Sequence, residues 1–316
     1  TFLTRYSNSI FKIINKPIIL GSRASKLALW QTNLVKKKLE DSSIKCEIKT
    51  ISSSGDIDLK TPIYSMGITG VFTKELDQAL LNKEVDVAVH SLKDVPTRLA
   101  EEICIGAVLK RGKWEDIILW KNLECKSKKV RSVATGSLRR KFQWKLKYPN
   151  DNVIPIRGNI NSRVEKLKTD SKIDGVFFAS AALSRLKIYE ENEETLNNFL
   201  PAPCQGFIVA TCLKKNKFII EILNKINNKK SSICSEIERD FLRTLEGGCS
   251  APIGAIAEVK GKIIDFKGGV FSMKGEQPKI IEAILKIDER NGVGEKLANE
   301  VLNNGGKLYI EEAKLK

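Results

Sequence analysis

A chain of 316 residues, 42% hydrophobic and 29% charged, exceeds what one core comfortably holds and reads as two or three globular domains. No apolar run is long enough to cross a bilayer, which argues for a chain that works without a membrane. The net charge of +16 points to a polyanionic partner, either nucleic acid or a small molecule with many carboxylates or phosphates, unless the lysines merely form a solvated face. Seven cysteines are odd in number and include no CxxC pair, which argues against a disulfide framework and for a reducing compartment. His90 is the single histidine and no ligand spacing accompanies it, so no metal site is expected.

In chain order, residues 1–16 mix Arg5, Lys12 and Lys16 with Ser, Asn and Ile and contain no acid; they read as a trimmed organelle leader or a disordered terminus. Pro17 to Leu20 is a short buried-strand pattern that runs into Gly21-Ser22-Arg23-Ala24-Ser25. Ser25 is placed to cap a helix whose apolar positions are Leu27, Trp30, Leu34 and Leu39. Cys46 to Ser52 alternates like a strand, and a loop rich in Gly, Thr and Ser runs to Gly70. Phe72 to Asn82 is helical, and Val85 to His90 is a strand ending in Ser91-Leu92-Lys93-Asp94-Val95-Pro96. This alternation is that of an α/β layer.

The pattern then restarts. Val130 to Ala134 is a strand, Thr135-Gly136-Ser137 a turn, and Leu138 to Lys147 a helix. Asn152 to Ile156 is a strand ending in Arg157-Gly158-Asn159, Ile160 to Thr169 a helix, and Gly175 to Ala179 a strand leading to a helix with Arg185. Tandem units of this kind predict two like α/β domains with a cleft between them. Pro201 to Gly206 reads as a hinge, followed by a strand from Phe207 to Cys212 and helices over Ile219–Ile226 and Ser231–Leu245. Ala255–Val259, Lys262–Phe266 and Ile280–Ile287 alternate like antiparallel strands, with a helix over Val293–Asn303 stopped by Asn304-Gly305-Gly306. The expected grouping is 17–110 with 206–227, 113–202 with 228–246, and a small α+β domain over 249–316.

Arg23, Arg139, Arg140, Arg157, Arg163 and Arg185 all fall at or just after strand-to-helix turns. In an open α/β sheet those turns lie at the carboxyl ends of the strands, where ligands bind and helix N-termini add positive dipole ends. Arginine forks grip carboxylates two bonds at a time, so a cleft for a polycarboxylate is predicted. Asp94 is an acid among these cations, placed to neutralise a positive charge on a substrate, to move protons, or simply to close its own turn. Cys249 stands in Leu245-Glu246-Gly247-Gly248-Cys249-Ser250-Ala251-Pro252, where glycines and proline predict a loop; alone, a cysteine is more often buried and inert. His90, Ser91 and Asp94 lie too close along one strand end to form a catalytic triad.

Taken together, Gly21 to Gln31, Val89 to Pro96, Gly136 to Arg140, Arg157-Gly158-Asn159 and Leu245 to Gly254 resemble the porphobilinogen deaminase (hydroxymethylbilane synthase) family of heme and porphyrin biosynthesis, in its order and near its spacing. The resemblance implies two periplasmic-binding-protein-like α/β domains around a hinged cleft, plus a small C-terminal α+β domain. It implies a transferase that adds four porphobilinogen units to a dipyrromethane cofactor, releases ammonia at each addition, and frees the linear tetrapyrrole by hydrolysis. Cys249 is implied as the thioether attachment point and Asp94 as the catalytic carboxylate. Arg23, Ser25, Gln31, Phe72, Ser91, Lys93, Thr135, Ser137, Arg139, Arg140, Arg157, Arg163 and Arg185 are implied to bind substrate and cofactor. The implied partners are porphobilinogen, the polypyrrole intermediates and, downstream, uroporphyrinogen-III synthase. A monomer in the cytoplasm or a plastid-like organelle is expected, with no nucleic acid and no membrane.

This chain departs from the family pattern at Ser65 and Thr69, where many relatives carry lysines, at Gly136, where a hydroxyl residue is usual, and at Ala182 and Cys204, where glycine is common. The alternative function is a non-enzymatic two-domain anion-binding protein for transport or sensing, which would need no reactive thiol. Nucleic-acid binding would call for aromatics interleaved with the basic residues.

Overall fold

Three of the strand-to-helix turns are closed by a short polar side chain that captures a free N–H of the following helix. Ser25 accepts from the Ala28 amide at 3.3 Å, Ser137 from Arg140 at 3.4 Å and Asn159 from Ser162 at 3.0 Å. Each cap fixes where its helix starts and hence where the neighbouring arginine stands. The computed structural model describes residues 16–52, 73–188, 191–245 and 251–314. Phe72, Ser65, Thr69 and Cys249 lie outside these described residues, as does the expected leader apart from Lys16.

The first α/β unit holds β1 (Ile18–Arg23), β2 (Cys46–Ile51), β3 (Val87–Ser91) and β4 (Ile103–Val108). The second holds β5 (Asp116–Trp120), β6 (Ser132–Ala134), β7 (Asn152–Ile154), β8 (Gly175–Ala179) and β9 (Glu193–Thr195). The chain then returns to the first sheet as β10 (Ile208–Leu213). The sheet orders are β2-β1-β3-β10-β4 and β7-β6-β8-β5-β9. In each, three parallel strands are followed by an antiparallel strand that arrives directly from the other unit. The two sheets are therefore the same design used twice, as the tandem pattern predicts.

Strands β4, β5 and β9 were not foreseen. β5 is buried at every position, so its sequence shows an apolar run in place of alternation. Leu20, Val87, Val89 and Ala210 form one core with Val35 and Leu39 of the helix Lys26–Glu40. That helix buries Ala28, Gln31 and Thr32, whereas Trp30, predicted on its apolar face, is 36% exposed and lies under Arg185 of the second unit, 5.8 Å from the ring centre. In the second unit Trp144 is buried edge-on to Phe177 at 5.2 Å, a pairing worth roughly 0.5–1.5 kcal/mol beyond its buried area.

The third unit is an antiparallel meander of β11 (Ile253–Lys260), β12 (Ile263–Val270) and β13 (Lys279–Lys286). The helix Val293–Val301 ends in a kink at Asn304 and Gly305, with Gly305 at φ +95°, but the chain resumes as a second helix, Lys307–Lys314, that the sequence did not suggest. The long helix Lys229–Thr244 was grouped with the second unit. Its apolar face, Cys234, Ile237 and Phe241, instead packs on Ala255, Phe266 and Leu297 of the third unit and on Val108 and Phe207 of the first. No helix among the described residues is long and apolar enough to cross a membrane.

The units meet at one buried carboxylate. Glu238, fully buried in the long helix, accepts from Arg111 at 2.6 and 3.3 Å, from the Cys204 amide at 2.6 Å and from the Ala257 amide at 2.7 Å. Arg111 also donates to the carbonyls of Gln205 and Ala257. Both crossing segments and the third sheet are thus tied to one ion pair. Removing one partner of such a pair strands the other charge, at a cost of roughly 3–5 kcal/mol. Glu238→Ala is expected to lower unfolding stability by about that amount, read as an earlier urea transition than for the unmodified protein.

Candidate active site

The carboxyl ends of β1 and β3 open toward a cavity of about 50 Å³ lined by Arg23, Ser25, Gln31, His90, Ser91 and Asp94 among others. Five of these are residues that the sequence singles out for the site. Gln31 is buried and exchanges hydrogen bonds with Ser91, its Nε2 donating at 2.8 Å and its Oε1 accepting at 3.3 Å, so helix and strand are locked together beside Asp94. Asp94 and Lys93 sit in a single 3₁₀ turn after β3. His90 is buried and stays neutral, its pKa pulled to about 3 by burial and by the Arg23 charge. A larger open depression of about 620 Å³ on the second unit, around Asn161, Glu165 and Lys168, contains none of the predicted site residues.

The second unit brings its cations to the same region. Arg163 feels the charges of Arg140, Arg157 and Asp94, and Lys93 feels those of Asp94, Arg140, Asp116 and Arg139. The site residues of the two units therefore share one electrostatic environment. Burial, helped by Arg140 and Arg157, pulls the Arg163 pKa down to about 10. Burial is also the main reason that Lys93 falls to about 8 and Arg185 to about 10. Cations lowered in this way are short of water. The Nε of Arg163 is buried with no hydrogen-bond partner, and its guanidinium lies 5.5 Å from the ring centre of Phe178.

Two of the arginines singled out for the site have a carboxylate partner within the protein. Arg139 and Arg140 are buried and turn onto Asp116, the first residue of β5. Arg139 Nη1 donates to Asp116 Oδ2 and to the Leu200 carbonyl, both at 2.5 Å. Arg140 donates to Asp116 Oδ1 through Nε at 3.0 Å and Nη2 at 2.8 Å, and through Nη1 to the Phe177 carbonyl at 3.4 Å. Each of the three Arg140 nitrogens thus has a protein acceptor. Gln205 of the hinge adds a bond to Asp116 at 2.9 Å and accepts from Lys93 at 3.4 Å, linking the two units through one amide. Burial alone would raise the Asp116 pKa, but Arg139 and Arg140 hold it well below the usual carboxylate range.

Arg185 also has an internal acceptor: its Nη2 donates to the Gly206 carbonyl at 2.6 Å, which accepts the Gly112 amide as well at 3.1 Å. A side chain at Gly112 would crowd that guanidinium, at 3.1 Å from Nη2. Ser137 and Thr135 serve the backbone: Ser137 caps its helix, and Thr135 Oγ1 accepts from the Ser137 amide at 3.1 Å. Asp116 and Gln205 were absent from the predicted site. The available signal was an acid at the head of a wholly apolar run, and an amide inside the hinge motif.

The arrangement is suited to anions. A ligand with several carboxylates would add counter-charge to Arg163 and Lys93 beyond that of Asp94 and Asp116, the acids they feel among the described residues. The residues present therefore fit a polycarboxylate such as a dipyrromethane. Asp116→Asn leaves two buried guanidinium groups facing a neutral amide. It is expected to cost roughly 3 kcal/mol of unfolding stability in urea, more than Asn at an exposed position such as Asp170.

Comparison with known proteins follows this geometry. Residues 18–221 match the model described as "Porphobilinogen deaminase, dipyromethane cofactor binding domain", and residues 232–303 match "Porphobilinogen deaminase, C-terminal domain". A porphobilinogen deaminase of Campylobacter hominis is 37% identical over 302 residues, covering 93% of this chain and 97% of the relative. A probable porphobilinogen deaminase of Methanocaldococcus jannaschii is 37% identical over 294 residues, covering 90% of this chain and all of the relative, 100%. Among solved structures, the periplasmic VFT2 domain of Bordetella pertussis BvgS aligns at TM-score 0.41 and 12% identity over 70% of this chain and 91% of that one. Matches along nearly the whole length set aside the non-enzymatic alternative: this chain belongs to the porphobilinogen deaminase family, and it is an enzyme with a dipyrromethane cofactor-binding domain.

Proposed function

We propose that the chain elongates a polypyrrole held between its two like units, with Cys249 as the covalent attachment point of the cofactor and Asp94 as the carboxylate at the reacting pyrroles. The observation that supports this reading best is the gathering of desolvated cations around Asp94: burial brings Arg163 to about 10 and Lys93 to about 8, and both feel the Asp94 charge. When bound, the dipyrromethane supplies a primer pyrrole and its own acetate and propionate carboxylates. Arg163, Arg157, Arg23 and Lys93 would hold the carboxylates of primer and substrate. Fixed cations do so without reorganising at each addition.

Asp94 has the complementary task. As ammonia leaves porphobilinogen, positive charge develops on the pyrrole, and a carboxylate held at the end of β3 stabilises it. The Gln31–Ser91 pair keeps that strand end in place. Arg139, Arg140 and Arg185 act in this reading by shaping the walls: Asp116 and the Gly206 carbonyl orient their guanidinium groups. Four such additions, with hydrolysis at the end, make the chain a transferase that releases hydroxymethylbilane, for which uroporphyrinogen-III synthase is the expected next enzyme. A monomer suffices, because both walls of the site come from one chain.

Intact-mass measurement of the purified protein is expected to show excess mass equal to two pyrrole units, absent in Cys249→Ser. An unmodified wild-type chain that still polymerises porphobilinogen would remove Cys249 from its role. Asp94→Asn is expected to fold normally by circular dichroism and to lose turnover by roughly 100-fold or more. Turnover near the wild-type level would assign Asp94 to its turn alone.

A further inference from the structure

Two thiols face each other in the sheet of the first unit, away from the cleft. Cys104 on the edge strand β4 and Cys212 on β10 are directly opposed in the antiparallel ladder, with sulfurs 3.9 Å apart. Their opposition depends on one irregularity. Ala210 pairs with Ala107, but Thr211 pairs with Ile105, so Gly106 is skipped and the register shifts by one. Without that bulge Cys212 would stand opposite Ile105, and the two thiols would point to opposite faces. Gly106 allows the bulge to lie flat, since a Cβ there would run into Leu223 of the helix Lys217–Asn224 and come within 3.3 Å of the Cys212 sulfur.

We propose that Cys104 and Cys212 form a cross-strand dithiol that low-molecular-weight disulfides oxidise to a protein disulfide. The geometry needs little change. Opposed residues of an antiparallel pair have Cα atoms about 4.5–5.5 Å apart, within the roughly 4.4–6.8 Å that disulfides span. The sulfurs must close from 3.9 Å to a bond of about 2.05 Å. Cys104 is partly exposed and Cys212 fully buried, so the oxidant enters at Cys104. Burial, then the neighbouring Cys104, raises Cys212 to about 12, which also makes it the second thiol to react.

The electron balance is simple. The Cys104 thiolate attacks the oxidant's S–S bond and expels one small thiol, leaving a mixed disulfide. Cys212 then attacks the Cys104 sulfur, gives up its proton and expels the second small thiol. The protein loses two hydrogens and the oxidant gains them. The other described cysteines are buried, and two of them point their sulfur at a carbonyl: Cys46 at Ile44 and Cys204 at Ser235. Ser91 at the cleft pairs with Ile208, the first residue of β10. Cys212 lies four residues further along, roughly 13 Å away at the usual strand rise, so the bond forms clear of the active site. It would close a loop that contains the whole second unit.

The test uses the full-length, cofactor-loaded protein, reduced and then incubated with oxidised glutathione. Free thiols are alkylated after unfolding, and the digest is read by mass spectrometry without reduction. The expected product is a peptide pair joining Cys104 to Cys212, two hydrogens lighter than the sum, and absent in Cys104→Ser. The oxidised protein is expected to unfold at higher urea than the reduced one, a shift lost in Cys104→Ser, with porphobilinogen turnover within two-fold of the reduced form. Cys212→Ala is expected to trap a glutathione adduct on Cys104. A lasting adduct on Cys104 in the wild-type protein with Cys212 still alkylatable, or no reaction of either thiol in the folded state, would overturn the proposal.

Discussion

Asp116 carries one negative charge between two guanidinium groups in a place closed to water. An ion in such surroundings is costly unless it is paired and hydrogen-bonded, and Asp116 receives donors from Arg139, Arg140 and Gln205. The pairing is unequal, because two cations share one anion. Around it, Lys93, Arg157 and Arg163 add positive charge, and Lys93 and Arg163 both feel the Asp94 carboxylate. The second unit is thus built around a carboxylate that holds its arginines still, and the cleft, among the described residues, around an excess of cations over carboxylates. One internal anion gives the walls their shape, and that excess gives them their appetite for a polyacid.

The same economy governs the hinge. Two strands of chain cross between the units, and each is held by polar contacts that a small change of residue would disturb. Gly206 has φ of +92° and its carbonyl accepts from both Gly112 and Arg185. Cys204 adopts φ of +65°, a left-handed conformation that glycine takes more easily, and its amide is captured by Glu238. A glycine at this position would take that backbone angle without strain. Here the Glu238 bond and packing against Ser235 hold a bulkier residue in the same conformation.

Much of the layered architecture was legible because its signals are local. The helices Leu138–Lys147 and Ile160–Thr169 and the strand Gly175–Ala179 match the expected spans residue for residue, since caps and glycine mark their ends. What the pattern could not reveal depended on tertiary partners. Strand β5 is buried on both faces and so lacks alternation. Trp30 leaves the core because the second unit places Arg185 over it. The helix Lys229–Thr244 presents an apolar stripe that any unit could cover, and only the assembled molecule decides that the first and third do so. At the site, the arginine positions were readable from strand ends, but which of them Asp116 holds was not. Asp116 lies 23 and 24 positions from its partners in sequence.

The strand order has a consequence for how the molecule is made. β10 lies between β3 and β4, yet it is synthesised after the entire second sheet. An emerging chain therefore holds β1 to β4 without the strand that joins them, while β5 to β9 already form an uninterrupted set. The later-encoded lobe is free to fold first on the ribosome, and the amino-terminal lobe must wait with unpaired strand edges until Leu213 has appeared.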